Sequence, residues 1–495
     1  MAQVAEAAPP RLRQPSTVLR ATARGGLVNL AGAAVAGLSG LVITWLVAAG
    51  LGPRVAGQFF TATTAFLLAL AIARLGTPTG LVYWFARLRQ EGRHGELRSM
   101  LTAALVPVCA LSLVFAVAGL VFAESFASAG ILRVLAVFLP AAVLMEALLA
   151  ASRGFGGMRE SVLIDKLGRS GTQVVLLAAI VLGWQTGVFT VTVAWALPFL
   201  PAALLSAHVV RLRLRRDPPD PDSPSWTQQL RPFWTYTAPR ALAGVAQLGL
   251  QRLDILLVAT LLGFAQAAVY TVATRFVTVG QLISGAIGTA VQPRLATSMS
   301  GRDYATASTL YRTTTSWIVL ACWPVYLLVA LAAPWYLRVF GPEYVTGEAI
   351  AVVWVLAAGM LLATACGVVD SVLVMAGRTG WQLYNVAAAF AVNIVVDLLL
   401  IPRIGILGAA IGWTAGIAVN NLMPLLQLAR VYRLHPIGRA TLKAMALSGL
   451  CCGLIPGVAA LAGEAALAVA IGGCAVIYPL SAWRARKTLF TTTDT

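Results

Sequence analysis

Leu51-Gly52-Pro53-Arg54-Val55-Ala56-Gly57-Gln58-Phe59 returns in altered form as Leu262-Gly263-Phe264-Ala265-Gln266-Ala267-Ala268-Val269-Tyr270. The offset is 262 − 51 = 211 positions. Leu-Gly, the alanine at 56/267, a small residue at 57/268, an aromatic at 59/270 and Ala-Thr at 62-63/273-274 all keep register across it. Both copies lie in a chain built almost wholly of membrane-length apolar runs. A lobe of spanning helices made twice is what a molecule needs if it is to rock two halves around a central site.

With 59% hydrophobic and only 11% charged residues over 495 positions, the composition excludes a water-soluble globular protein. The apolar runs last about 20 residues, the length of spanning helices; barrel strands would alternate over about 10. Spans are expected near 25-50, 57-84, 99-123, 131-151, 162-183, 188-208, 240-262, 266-291, 312-333, 348-375, 382-401, 406-429, 444-462 and 465-482. The fold class is therefore all-α: a polytopic membrane protein of about 14 transmembrane helices, with two six-helix lobes in a parallel pseudo-two-fold repeat plus two C-terminal helices. The stretch from Arg211 to about Arg240 contains Arg-Asp-Pro-Pro-Asp-Pro-Asp-Ser-Pro at 216-224, which no helix interior tolerates. It divides the chain into a basic tail at 1-24, a first lobe at 25-210, a linker at 211-239, a second lobe at 240-430, the last two spans at 431-483 and a tail at 484-495. The basic first 24 residues lead straight into a span and show no clear cleavage site, so they are expected to be a cytoplasmic tail and not a signal peptide.

A net charge of +18 would suggest nucleic acid on a soluble domain. Here about 29 of the 36 Lys and Arg fall on one side of the span pattern, while the other side has little beyond Arg54, Arg133, Arg338 and Arg403. That is the positive-inside rule, which puts both termini in the cytoplasm and requires no nucleic acid. The six cysteines all fall within spans without metal-ligand spacing and are expected to pack as small apolar residues. His94, His208 and His435 are too scattered for a metal site or a catalytic triad. Neither cofactor, metal nor enzyme chemistry is expected.

Charges at membrane depth cost about 2.5 to 3.5 kcal/mol each on insertion scales and so mark candidate sites. They are Arg74 in span two, Glu146 in span four, Asp165, Lys166 and Arg169 at the inner end of span five, Arg252 and Asp254 in span seven, Arg275 in span eight, Asp370 in span ten and Asp397 in span eleven. Arg252 and Asp254, two residues apart on a helix, face different directions and need other partners. Two readings of Arg275 stand open. It bridges Asp254 structurally, or it joins Arg74 and Arg252 as the cationic lining of a central cavity, where the guanidinium fork suits phosphate oxygens. Glu146, with no cation in register, Asp254 and Asp397, with Asn393 one turn earlier, are the candidates for proton or cation coupling. Asn420 and Asn421 on the next span are alternative partners for Asp397. The cluster at 165-169 reads as snorkelling near the interface.

Gly377-Arg378-Thr379 through Tyr384-Asn385, Asn393, Leu398-Leu399-Leu400-Ile401-Pro402-Arg403 and Ile404-Gly405-Ile406-Leu407-Gly408-Ala409-Ala410-Ile411-Gly412 resemble the polysaccharide flippases of the multidrug/oligosaccharidyl-lipid/polysaccharide exporter superfamily. The turn at 51-59, Asp254 before Leu-Leu-Gly at 261-263, Tyr270 with Ala273 and Arg275, and Phe340-Gly341-Pro342-Glu343-Tyr344 are similar to signatures of the same family. Together they cover spans one to twelve. The resemblance implies two six-helix lobes in a V, alternating access, and transport of an undecaprenyl-diphosphate-linked oligosaccharide from the inner to the outer leaflet of the bacterial cytoplasmic membrane. Its implied partners are that lipid-linked oligosaccharide, membrane lipids, and a polysaccharide polymerase and glycosyltransferases. Two rivals share the superfamily: a cation-coupled multidrug antiporter, which usually has twelve spans and an acidic site, and a lipid II flippase, which has fourteen spans and a basic cavity. A membrane glycosyltransferase would need a large outer loop or an acidic metal-binding pair, and the longest outer loop, about Pro334 to Gly347, is too short.

Overall fold

The computed structural model describes residues 15-125, 129-183, 187-217, 220 and 223-490, with side chains only between Ala31 and Arg484. Pro9, Pro10, Arg11 and Arg13 of the N-terminal tail lie outside the described residues, as do Pro218, Pro219, Pro221 and Asp222 of the linker and the last five residues. The described chain is helical with no strands, as its apolar periodicity and the need to satisfy every backbone group within the bilayer require. Among the described residues about fourteen long rods follow one another at the expected places. Eleven helical stretches among the described residues are long and apolar enough to cross a membrane, and the first, Ala31–Gln90, holds spans one and two. Spans five and eight fall short of that measure: the first opens in a charged segment, and the second is split at Thr274 and carries Arg275, Gln281, Gln292 and Arg294.

The duplicated turn is the same structure twice. Helix Pro15–Ala73 is broken at Gly52, with φ 73° and ψ 166°, and helices Trp226–Leu262 and Phe264–Ala273 meet at Gly263, with φ 92° and ψ 170°. Only glycine enters this left-handed region without a Cβ clash, so the Leu-Gly pair is the minimum needed to reverse a span. Ala56 and Ala267 are fully buried at equivalent places, as are Phe59 and Tyr270. Further interruptions fall at Arg74–Gly76 in span two, at a π-helix Ser161–Arg169 in span five, at Thr274 in span eight and at Gly367 in span ten. Arg74, the 165-169 cluster, Arg275 and Asp370 thus sit at or beside a break in the backbone ladder. Broken helices at membrane depth persist where protein or a cavity covers them. By contrast Pro107, Pro140, Pro324 and Pro424 lie inside continuous helices.

An even number of crossings brings the chain back to the face where Pro15 starts, here called the terminal face. On the opposite face the lobes touch. A Cβ on Gly57 would lie 1.7 Å from the Phe264 carbonyl oxygen, so the two turns are packed backbone to backbone. Trp45 Nε1 donates to the Val339 carbonyl at 3.0 Å and Tyr344 Oη to the Ala48 carbonyl at 3.1 Å. Both contacts come from the 334-347 connection, whose short helix Ala333–Arg338 and turn Pro342–Tyr344 clasp span one of the other lobe. At the terminal face the first turns of Trp226–Leu262 rest on the first lobe: Phe233 joins its core, Trp234 Nε1 donates to the Ala103 carbonyl at 3.2 Å, and Gln229 Nε2 to Glu96 at 2.7 Å. Spans thirteen and fourteen, Arg439–Leu461 and Glu464–Phe490, pack against span nine through Val319, Leu320, Cys452 and Tyr478.

Candidate functional site

The hairpin of spans seven and eight assembles the polar centre. Asp254 is 2% exposed, yet both of its oxygens are satisfied: Tyr270 Oη donates to Oδ2 at 2.5 Å and the Ile255 N–H to Oδ1 at 2.9 Å. With Arg252 and Arg275 it lines a small cavity of about 80 Å³, together with Thr274, Thr278, Gln281 and Trp413. Neither arginine has a carboxylate within 4.0 Å among the described residues. Arg275 Nε has no hydrogen-bond partner, and the guanidinium lies 6.0 Å from the ring of Phe60 in the first lobe. The Asp254–Arg275 bridge is therefore not formed. Tyr270, sixteen residues beyond Asp254, takes the carboxylate oxygen that the bridging reading gives to the arginine.

This chemistry belongs to one lobe. Subtracting the 211-residue offset maps Arg252, Asp254, Tyr270 and Arg275 onto Leu41, Ile43, Phe59 and Thr64. Ile43 and Phe59 occupy the apolar core where their counterparts form the Asp254–Tyr270 pair. Tyr270 stands in the sequence among the family signatures; the offset, applied to the charges, is the signal that exposes its role. Tyr270→Phe is expected to cost about 1.5 to 3 kcal/mol, the contribution of a hydrogen bond to a charged acceptor, because Phe keeps the ring and strands the carboxylate. Adding Asp254→Ile, which copies the first lobe, should recover the loss. Thermal unfolding of the detergent-purified variants reads this directly; a single variant as stable as the parent would show that the hydroxyl contributes nothing.

In the first lobe the deep charges are already paired. Arg74 Nη1 meets Glu146 Oε2 at 2.7 Å, so Glu146 has a cation after all and Arg74 is not a lining residue of the Arg252–Arg275 cavity. Span two breaks at Arg74–Gly76, which lets the guanidinium cross to span four over a sequence distance of 72. Asp165 holds Arg169 at 2.7 Å and Lys166 at 3.1 Å; Arg169 donates on to Gln173, and Gln173 to the Trp195 carbonyl at 2.6 Å. The 165-169 segment is therefore a relay of ion pairs within a π-helix.

Asp397 is fully buried on Thr379–Ile404. Asn393 Nδ2 donates to its Oδ2 at 3.0 Å, whereas Oδ1 has no partner. Asn393 Oδ1 and Asn420 Oδ1 are likewise buried and unpartnered. Asn421 instead donates to the Ile417 carbonyl at 2.8 Å. A Cβ on Gly412 would stand 1.9 Å from Asp397 Oδ1, so span twelve is drawn against the carboxylate by glycine alone. Unsatisfied buried oxygens that accept and cannot donate fit a proton or a small cation.

A family model described as polysaccharide biosynthesis protein matches residues 22–299, and one described as MatE matches residues 239–399. No curated protein matches. Among solved structures the fold is similar to the inward-facing conformation of a multidrug resistance MATE family transporter of the MOP superfamily, with 18% identity, 81% of this chain and 97% of that chain covered, and a TM-score of 0.68. It is similar also to a MOP superfamily transporter from Pyrococcus furiosus described as having reverse polarity of its binding pocket, with 19% identity, 84% and 98% covered, and a TM-score of 0.61. The outward-facing conformation of the multidrug resistance transporter gives 18% identity, 86% and 100% covered, and a TM-score of 0.59. At such identity these likenesses establish the fold, that of MOP superfamily transporters. With 22–299 amounting to more than half of the chain, it belongs to the polysaccharide biosynthesis protein family.

Proposed function

We propose that this protein flips an undecaprenyl-diphosphate-linked oligosaccharide from the inner to the outer leaflet of the bacterial cytoplasmic membrane by alternating access, for cell-surface polysaccharide synthesis. The observation that carries this reading is the Arg252–Arg275 cavity, where two guanidinium groups at membrane depth outnumber the one carboxylate of the lining, Asp254, and neither forms an ion pair with it among the described residues. An anionic diphosphate is the ligand that such a cavity complements, and an alternating two-lobe carrier can present it to either side. On this reading the arginine-rich terminal face is cytoplasmic, the lobe contacts at Gly57 and Tyr344 close the outer side, and a polymerase and glycosyltransferases act next to the carrier.

The test is reconstitution: proteoliposomes should translocate a lipid-linked oligosaccharide and leave a cationic dye unmoved, and deletion in cells should trap the glycolipid in the inner leaflet. Dye efflux with normal surface glycan would overturn the reading. It would promote a cation-coupled multidrug antiporter, which the MatE match over residues 239–399 and the buried acids of the second lobe favour.

Coupling is assigned to the second lobe, with Asp397, Asn393 and Asn420 supplying oxygens and Asp254 close behind. Asp397→Asn is expected to remove the dependence of transport on the proton or sodium gradient while downhill exchange persists. Gradient-driven flipping measured in both modes decides it; an unchanged gradient dependence would remove Asp397 from coupling.

A further inference from the structure

Away from the lobe interface, spans three, four and six enclose a trough of about 470 Å³ at the terminal face. Its walls are built from residues one helical turn apart: Leu101 and Leu105 on span three, Leu144 and Leu148 on span four, and Ala207 on span six. Leu101, Leu148 and Val210 are over nine-tenths buried, so the walls are set by the core of the lobe and the trough is preformed. Its rim is cationic. Arg98, Arg211 and Arg215 stand there with no carboxylate partner among the described residues, whereas Arg213 between them turns away to an ion pair with Glu160. Arg98 Nη2 donates to the Leu214 carbonyl at 3.1 Å, which pins one guanidinium at the mouth and leaves its other nitrogens free for a ligand. From Arg98 to Leu105 the helix descends about 10 Å, from the headgroup level into the hydrocarbon.

A row of guanidinium groups above an apolar slot of that depth matches one kind of molecule, an amphiphile with a phosphate at its head and a hydrocarbon chain below. We propose that the trough is a binding site for an anionic glycerophospholipid of the surrounding leaflet, with its phosphate held by Arg98, Arg211 and Arg215 and one acyl chain laid between Leu105 and Leu144. Basic pockets between helices on the arginine-rich side of a membrane protein collect such headgroups, and the guanidinium fork favours phosphate over a zwitterion's compensated charge. The site is separate from the Arg252–Arg275 cavity, with which it shares no residue, and does not depend on what that cavity carries.

Native mass spectrometry of the full chain, purified in non-ionic detergent and titrated with phosphatidylglycerol or phosphatidylcholine of equal chain length, tests this. Phosphatidylglycerol should be retained in preference, and Arg211→Glu with Arg215→Glu should weaken its retention about 10-fold or more. Arg211→Gln with Arg215→Gln, a milder pair that keeps the fold if charge reversal does not, should fall between. Ala207→Trp, which fills the slot, should weaken retention without touching the charges, and Arg302→Glu elsewhere on the same face should change nothing. Equal retention of both lipids, or phosphatidylglycerol retention indifferent to Arg211 and Arg215, would reduce the trough to ordinary annular contact and overturn the proposal. So would displacement of phosphatidylglycerol by a polyprenyl diphosphate whose own binding is lost in the same variants, since the trough would then belong to the transported substrate.

Discussion

Arg275→Ala is expected to slow glycolipid flipping about 10- to 150-fold while the protein still inserts and folds. The rate loss is that of one charge-assisted hydrogen-bond partner for a phosphate, about 1.5 to 3 kcal/mol, converted at about 1.4 kcal/mol per decade. Folding should survive because no carboxylate is left behind: Asp254 is satisfied by Tyr270 and the Ile255 amide, and removing an unpaired membrane-depth cation relieves an insertion cost. Arg252→Ala should behave the same way, and Arg275→Lys should recover part of the rate, since it restores charge without the fork. Arg74→Ala provides the contrast. It strands Glu146, so expression should fall, and pairing it with Glu146→Gln should bring expression back. The measurements are initial flipping rates in proteoliposomes beside the yield of monodisperse protein. If Arg275→Ala loses yield as Arg74→Ala does, the second-lobe arginine is structural and the cavity reading falls.

The difference between these arginines marks where the sequence stopped being informative. Span number, turn positions and the repeat followed from local features: apolar length, the Leu-Gly turn and the distribution of arginines. Each depends only on neighbours along the chain. Pairing depends on which helix lies across the lobe, and no span length encodes that. Arg74 and Glu146 are 72 positions apart and meet only because span two is interrupted at Arg74–Gly76. Tyr270 displaced Arg275 from Asp254 because the Gly263 turn folds span eight back by the sixteen residues between them. The 334-347 connection was legible as short but not as a clasp, since its partners Trp45 and Ala48 lie almost 300 positions earlier. The second-lobe restriction of the polar site was within reach of sequence, because Leu41, Ile43, Phe59 and Thr64 stand at the offset positions.

Gly57→Ala is expected to unseat the closure opposite the terminal face and to suppress transport more than its one added methyl suggests. Its Cβ would fall 1.7 Å from the Phe264 carbonyl oxygen, and the obstructing atom is backbone, which no rotamer change moves aside. Overpacking a buried contact costs about 1 to 3 kcal/mol, enough to shift a two-state balance between closed and open lobes by about one to two decades. The strain acts only while the turns touch, so the variant should fold and populate the arrangement in which they part. Cysteine chemistry reads that population: Ala48→Cys, fully buried beneath Tyr344 in the closed arrangement, should resist a membrane-impermeant maleimide in the parent and label readily when Gly57→Ala is added, with the six native cysteines replaced in both. Gly40→Ala, which meets nothing within 4 Å, should leave labelling and transport alone. Ala48→Cys that stays protected beside Gly57→Ala, with flipping at the parental rate, would mean that the duplicated turns do not form a contact the cycle must make and break.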